Sequence, residues 1–306
     1  YINEPNLLSE GDFELFCELK DKFNKNKILE AIERCEEKLN WVYKENNLFH
    51  ANVYFKLKGY KKNSFTFRPI HTCDLITQIC IVSMLQPIMF LDDVTRSYSE
   101  LSKEMPENFY GNKPSLDVEH LYQRWQKAYK NYSDAIIDKT REYYRNNKFT
   151  QELNLDLKDF FPSVDPIIII TYLKKKCCNI YEDIEFLEKT LVKLLYFQLN
   201  LENLRGWENI YYPNTDKVLL NDVCTTRGIP QGLPQAPFFG NIIMTCIATV
   251  LNKKAQGDAL YYVDDSVIFT NISNKEFSDI VSTDINEAVC IKCGLSETPD
   301  ERNNQR

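Results

Sequence analysis

Two adjacent carboxylates, Asp264 and Asp265, stand between two runs of strand-forming residues. The aromatic and β-branched residues on both sides, from 260 to 269, predict a tight β-hairpin with negative charge at its tip. A turn that served solubility alone would favour Asn-Gly or Asp-Gly, because the preferred two-residue turns need positive φ. Adjacent aspartates repel each other unless cations neutralise them. The pattern therefore indicates a divalent-metal site, and an acidic surface turn is the alternative.

Two segments upstream have residue types that suit the same site. Leucines alternate with polar residues from 153 to 157, which predicts a strand that ends near Asp156 and projects this carboxylate into a cleft. The loop 227–237 is rich in Gly, Pro and Gln, and it leads into an apolar segment, 238–251, long enough for a buried helix. The small residues of the loop allow a backbone to approach a ligand or a base pair closely.

In this order and spacing, the three blocks resemble the reverse transcriptase family. Asp156 with Phe160 and Phe161 resembles the first palm motif of that family. The segment 228–232 resembles its Pro-Gln-Gly motif, and 262–265 resembles its Tyr-x-Asp-Asp motif. The resemblance implies an α+β fold, with the fingers and palm of a right-hand polymerase.

The chemistry of nucleotidyl transfer explains why such a protein needs these carboxylates. Two Mg²⁺ ions about 3.5–4 Å apart can stabilise the attacking and leaving oxygens, and hard cations prefer carboxylate ligands. The resemblance implies that Asp156, Asp264 and Asp265 are the catalytic, metal-binding residues, with Mn²⁺ as a substitute for Mg²⁺. It also places Gln231 beside the nascent base pair and Phe161 beneath the sugar, where a phenyl ring excludes a 2′-hydroxyl.

A one-sided basic stretch precedes these motifs. Residues 46–73 include no acidic side chain and five basic ones: Lys56, Lys58, Lys61, Lys62 and Arg68. A solvated face normally mixes both signs, so this stretch suits phosphate groups of a nucleic acid; an ordinary basic loop is the alternative. The segment 67–70 with Asp74 resembles a finger motif of bacterial reverse transcriptases. Because a guanidinium fork matches phosphate geometry, Arg68 is the candidate for binding the incoming triphosphate.

One further element indicates a branch of the family. The segment 109–113, followed by Trp125 and Tyr129, resembles the Gly-Asn-Arg element of the abortive-infection and defence-associated bacterial reverse transcriptases, with Lys113 where Arg is commoner. A turn followed by an amphipathic helix would explain the same residues.

Composition and apolar spacing suggest how the chain is organised. We expect a helical N-terminal extension over 1–47, fingers over 48–150, and a palm over 151–306 with a helical finger insertion near 166–205. A thumb is expected to be missing or incomplete. The formal charge of −7 argues against a protein that binds nucleic acid over its whole surface, but it is compatible with a local basic cleft. Ten cysteines without a secretory signal favour a bacterial cytoplasm, and no apolar run is long enough for a membrane span.

The leading hypothesis is a DNA polymerase of the reverse transcriptase type that serves antiphage defence. It implies dNTPs, an RNA template or noncoding RNA, and a DNA product as partners. The branch also includes template-independent enzymes, protein-linked products and homo-oligomers. The alternatives are a catalytically inactive RNA-binding scaffold, which the three retained aspartates disfavour, and an RNA polymerase with the same palm, which Phe161 disfavours.

Overall fold

A computed structural model describes residues 8–21, 24–61, 64–91, 97–117, 119–146, 148–157, 159–177, 183–213 and 217–285. Lys62, one of the predicted nucleic-acid-binding residues, lies outside these ranges. The architecture combines many helices with small sheets, which confirms the predicted α+β class. No helix in the described ranges is both long and apolar enough to span a membrane.

The helices are, in chain order, α1 (Glu10–Lys20), α2 (Lys25–Lys44), α3 (Leu75–Met89), α4 (Glu100–Lys103), α5 (Trp125–Asn146), α6 (Phe160–Ser163), α7 (Pro166–Cys177), α8 (Ile184–Leu195), α9 (Leu201–Leu204), α10 (Glu208–Tyr211), α11 (Ala236–Lys254) and α12 (Asn274–Asp279), which continues as a π-helical turn (Ile280–Asp284). The strands are β1 (His50–Lys61), β2 (Ser64–Thr72), β3 (Gln151–Asp156), β4 (Gln198–Leu199), β5 (Leu219–Leu220), β6 (Val223–Cys224), β7 (Asp258–Tyr262) and β8 (Asp265–Thr270).

The chain divides into two compact units that interleave in sequence. The first unit comprises Tyr1–Gln86, Phe161–Pro166 and Glu185–Ala236, and the second comprises Pro87–Phe160, Ile167–Ile184 and Pro237–Arg306. The helices expected near 166–205 are present as α7 and α8, and these two helices belong to different units.

The first unit is built on a long antiparallel hairpin. Strands β1 and β2 pair from Asn52↔Thr72 to Lys61↔Ser64, with a bulge between Leu57 and Gly59, and β4 pairs in parallel with the start of β1. The helices predicted for the N-terminal extension are observed as α1 and α2, whose first turns are capped by the side chains of Ser9 and Asn24.

The second unit is built on the antiparallel sheet β3-β8-β7. One face of this sheet packs on α5, and a buried cluster fills the interface: Tyr132, Phe149, Leu260, Val267 and Phe269. The buried helix predicted from residues 238–251 is present within α11, where Phe238, Phe239 and Met244 are fully buried. This sheet carries all three predicted catalytic aspartates.

Candidate active site

The predicted acidic hairpin is present, with a small correction to its turn. Strands β7 and β8 pair from Asp258↔Phe269 to Tyr262↔Asp265, so the two-residue turn consists of Val263 and Asp264. Asp265 is the first residue of β8 and not part of the tip, because its backbone already pairs with Tyr262. Asp264 is half-buried in the turn, and Asp265 is exposed at the strand end.

The turn of this hairpin adopts an unusual backbone conformation. Val263 has a φ of 55°, in the left-handed region that a β-branched side chain rarely enters. Two-residue hairpin turns usually place Gly, Asn or Asp at this position. Such a conformation costs on the order of 1–2 kcal/mol, so surrounding contacts must hold the turn in place.

Register places the third carboxylate directly opposite the hairpin. Asp156 is the last residue of β3, as predicted, and its backbone partner across the sheet is Asp265. Like charges at directly opposed positions destabilise an antiparallel pair. Partial burial raises the pKa of Asp265, and the negative charges of Asp264 and Asp156 raise it further. The three aspartates therefore share one local electrostatic field.

The donor set suits hard divalent cations, although its side chains do not converge. Three carboxylates offer the oxygen ligands that Mg²⁺ prefers, and their mutual repulsion would be relieved by cations. Within the described part of the chain, no three Asp, Glu, His or Cys side chains form a group that could hold a metal ion as they stand. The backbone therefore brings the three aspartates together, and binding would require their side chains to turn toward a common point.

A glycine from a distant segment lies directly against the strained turn. A Cβ on Gly111 would lie 2.5 Å from the Val263 amide nitrogen and 2.8 Å from its Cγ2 atom. The segment that precedes Gly111 runs parallel to β7, since Tyr110 N–H donates to the Tyr261 carbonyl (2.8 Å) and Tyr261 N–H donates to the Asn108 carbonyl (3.0 Å). This added edge, 108–111, supports the hairpin from the β7 side.

A buried asparagine in α11 holds this edge in turn. The Asn241 side chain is fully buried and donates to the carbonyls of Gly111 (3.1 Å) and Asn112 (2.9 Å). Sequence reasoning missed Asn241, although a lone amide within an apolar helix must find polar partners. Lys113 has a structural role, because its ammonium donates to the Pro106 carbonyl (3.2 Å) and burial lowers its pKa.

In the first unit, the Pro-Gln-Gly loop is docked on β2 through main-chain contacts. The Gln231 carbonyl accepts hydrogen bonds from the His71 backbone N–H (2.7 Å) and from the His71 ring at Nδ1 (3.1 Å). Gly232 has a φ of 110°, and a Cβ there would lie 2.5 Å from the His71 carbonyl oxygen. A side chain at position 232 would therefore separate the loop from the strand.

A buried polar network fixes both ends of the same loop. Because a carbonyl can only accept, Nδ1 of His71 is the protonated nitrogen, and Nε2 accepts from the Tyr211 hydroxyl (2.8 Å). The Tyr211 oxygen accepts in turn from the Arg227 backbone N–H (3.0 Å). Burial lowers the pKa of His71 to about 4, so the imidazole is neutral near pH 7.

The same loop contacts the residue predicted to select the sugar. The backbone N–H of Ile229 donates to the Phe161 carbonyl (2.8 Å), and a Cβ on Gly228 would overlap that carbonyl oxygen and approach Pro162 Cα within 2.6 Å. Phe161 is half-buried, whereas Phe160, described within the second unit, is a core residue with 6% exposure.

Arg68 and three of the four predicted nucleic-acid-binding lysines, Lys56, Lys58 and Lys61, lie on strands β1 and β2. Arg68 and Lys56 are exposed and are opposed to each other in register, and Lys58 is exposed beside the bulge. Lys61 is the last residue of β1. The first unit thus brings together Arg68 on β2 and the loop residue Gln231, which is bound three positions further along the same strand at His71.

Comparison with known proteins adds no family assignment. The chain matches no protein-family model. No curated protein is significantly similar to it in sequence.

Proposed function

We propose that this chain is a Mg²⁺-dependent DNA polymerase of the reverse transcriptase type, an RNA-directed nucleotidyltransferase that uses dNTPs. The observation that carries the proposal is the pairing of Asp156 with Asp265 beside Asp264, at one end of the β3-β8-β7 sheet. Three carboxylates in one field repel one another in the absence of cations, and after partial burial the charges of Asp264 and Asp156 raise the pKa of Asp265. A site that neutralises them with metal ions accounts for their presence.

In this proposal, the carboxylates of Asp156, Asp264 and Asp265 provide oxygen ligands for two Mg²⁺ ions, for which Mn²⁺ can substitute. The bound ions would favour ionisation of the attacking 3′-hydroxyl and stabilise charge on the leaving pyrophosphate. The exposed guanidinium of Arg68 binds triphosphate oxygens through charge-assisted hydrogen bonds. The Gln231 side chain is assigned to the nascent base pair, and the hydrogen bond from the His71 N–H to the Gln231 carbonyl supports this by holding the loop backbone on β2.

Template and biological role rest on the resemblance of the motifs. An RNA template or noncoding RNA, template-independent extension and a protein-linked DNA product are all compatible with the proposed chemistry. The exposed cations Lys56 and Lys58 supply contacts for a nucleic-acid backbone. Antiphage defence is the proposed setting, because segment 109–113 resembles the defence-associated branch.

Nucleotide incorporation by carboxamide variants tests the proposal. The purified chain, with any co-purifying RNA, is incubated with each labelled dNTP and Mg²⁺, and the products are treated with RNase or protease. We expect Asp264→Asn and Asp265→Asn each to abolish incorporation, because each change preserves size and removes a charge that metal binding needs. Asp159→Asn is the matched control: Asp159 is a turn residue with a φ of 50°, which Asn also tolerates. Substantial incorporation by both hairpin variants at ordinary Mg²⁺ concentrations would contradict the assignment.

A further inference from the structure

Two cysteines face each other where helix α2 contacts helix α3 in the first unit. The Cys35 thiol on α2 donates to the Ile76 carbonyl of α3 (3.9 Å), and the Cys80 thiol on α3 donates to the Cys35 carbonyl (3.7 Å). The Ile76 carbonyl lies one helical turn before Cys80, so each sulfur lies against the turn that bears the other. The thiols also hydrogen-bond each other, with Cys80 as the donor when Cys35 is ionised. We call Cys35 and Cys80 the α2-α3 thiol pair.

Contacts on both sides of the pair hold the two helices together. On α2, Cys35 shares one face with Val42, which lies two turns further along and is fully buried. Lys38, one turn after Cys35, forms an ion pair with Asp74 (3.0 Å). Asp74 also accepts from the Thr77 N–H in the first turn of α3 (2.9 Å). Burial and an ion pair thus keep the helices in the register that brings the thiols into contact.

The two thiols differ in exposure and in acidity. Cys80 is fully buried, whereas Cys35 is half-buried and is open in part to small solutes. The hydrogen bond from Cys80 is the main cause that lowers the pKa of Cys35. Burial and the charge of Asp74 oppose this effect, and the cations Arg34 and Lys38 reinforce it. The same hydrogen bond, together with burial, raises the pKa of Cys80. A partly exposed, acidified thiol beside a second thiol is typical of redox-active cysteines.

We propose that a peroxide oxidises the α2-α3 thiol pair to a reversible disulfide that joins α2 to α3 and stabilises the first unit. In the first step, the Cys35 thiolate attacks one oxygen of H₂O₂, the O–O bond breaks, and the departing hydroxide takes up the proton that Cys35 gave up. Cys35 is then a sulfenic acid, and one water has formed. In the second step, the Cys80 sulfur attacks the Cys35 sulfur, the S–O bond breaks, and the hydroxide leaves as water with the Cys80 proton. Two thiols and one H₂O₂ thus give one disulfide and two waters.

The disulfide has a structural consequence that can be measured. The loop that it closes, from 35 to 80, includes the whole of the β1-β2 hairpin. A crosslink that closes a long loop restricts the unfolded chain and thereby stabilises the folded one. A dithiol reductant reverses the change by attack on the more exposed sulfur, that of Cys35. This chemistry is independent of the proposed polymerase function.

Peptide mapping of the complete chain tests the proposal. The reduced protein is treated with H₂O₂, free thiols are alkylated with N-ethylmaleimide, and the chain is digested with trypsin and endoproteinase Asp-N. Trypsin cleaves after Arg34, and Asp-N cleaves before Asp74, which separates Cys80 from Cys73. We expect a disulfide-linked pair of peptides, one with Cys35 and one with Cys80, that disappears after reduction with dithiothreitol.

Serine variants assign the two roles. In Cys80→Ser the second step is blocked, so a dimedone label should accumulate on Cys35 as a trapped sulfenic acid. Cys35→Ser should lose both the label at this position and the linkage. Cys17→Ser is the matched control, because it removes an exposed thiol of α1 and should keep the wild-type linkage. In thermal melts, the oxidised wild type should unfold at least about 5 °C above the reduced chain, and Cys35→Ser should show no such shift.

Four results would overturn the proposal: recovery of Cys35 and Cys80 as free thiols after peroxide treatment, linkage of Cys35 to a cysteine other than Cys80, no dimedone label on Cys35 in the Cys80→Ser chain, or equal melting temperatures for the oxidised and reduced wild type. The mapping and the melts use no dNTP. The presence or absence of nucleotide incorporation therefore does not bear on the thiol pair.

Discussion

The contact between Gly111 and the hairpin turn leads to a specific prediction for Gly111→Ala. The added Cβ would lie 2.5 Å from the Val263 nitrogen, about 0.9 Å closer than the 3.4 Å at which ordinary van der Waals contact begins. It would also lie 3.2 Å from the carbonyl carbon of Tyr262. The φ of Gly111 is outside the left-handed region, so alanine adds this overlap without backbone strain of its own.

Two segments can move to relieve the overlap, and each has a cost. Overpacking of this kind typically destabilises by about 1–3 kcal/mol. If segment 108–112 withdraws, the two hydrogen bonds from Asn241 to the carbonyls of Gly111 and Asn112 weaken, at about 1 kcal/mol each. If the hairpin withdraws, Asp264 and Asp265 move with it, and a misplacement of about 1 Å can reduce a catalytic rate about 100-fold.

The assay combines primer extension with urea denaturation. We expect Gly111→Ala to lower kcat about 100-fold with little change in the KM for dNTP, because Arg68, the proposed triphosphate-binding residue, is not altered. Stability should fall by about 1–3 kcal/mol. Gly11→Ala is the matched control, since a Cβ there would meet no atom within 4 Å other than its chain neighbours and the backbone of its own helix, and it should retain full activity. A Gly111→Ala chain that loses stability but keeps the wild-type kcat would refute the role of this contact in positioning the aspartates.

Three further predictions concern charge, burial and sugar choice. Asp265→Asn should raise the free energy of unfolding by about 0.2–1 kcal/mol, near the low end because the carboxylate is exposed and screened. Mg²⁺ at 100 times its Kd should stabilise only the wild type, by about 2.7 kcal/mol; equal stabilisation of both chains in thermal melts would argue against metal binding. Burial lowers the pKa of His71 to about 4 in the folded protein. As pH falls below 6.5, the His71 imidazole is therefore protonated in the unfolded state before it is protonated in the folded state. This contribution to the free energy of unfolding is therefore fully present above pH 6.5 and falls by about 3 kcal/mol by pH 4. His71→Gln should remove this part of the acid sensitivity in urea titrations, and an unchanged pH profile would contradict the prediction. Phe161→Ala should admit ribonucleotides, whereas Phe160→Ala should destabilise by about 3–5 kcal/mol; equal use of ATP and dATP by the wild type would overturn the DNA polymerase assignment.

The sequence predicts the elements around the acidic site because their signals are local. Alternation of apolar residues predicts β3, and the strand-forming runs on both sides of Asp264 predict the hairpin of β7 and β8. The apolar segment 238–251 predicts α11. Each of these patterns depends only on neighbouring residues, and the structure has the predicted strand or helix in each place.

Contacts between distant segments could not be predicted in the same way. Gly111 and Val263 lie far apart in the chain, and no local pattern indicates that one packs on the other. The polar network of His71 depends on Tyr211. Tyr211 is buried by tertiary packing, and no periodic pattern of apolar residues in the sequence predicts this burial. The β1-β2 hairpin was missed because its lysines and polar residues obscure a strand pattern that Tyr54, Phe55 and Phe67 would otherwise have given.

The hairpin concentrates three local features that each oppose stability. Val263 has a left-handed φ, Asp265 faces the like charge of Asp156, and the Asp265 carboxylate is partly desolvated. The rest of β8 is buried from Ser266 to Thr270, and its three central residues, 267–269, are apolar. Burial of one large apolar side chain contributes about 1.5–3 kcal/mol, so the strand can tolerate an opposed charge pair that costs about 0.2–1 kcal/mol. Where local rules fail within an otherwise consistent element, the exception is expected to serve function. Replacing the aspartates would improve this sheet, so their presence is best explained by the cations that they are proposed to bind.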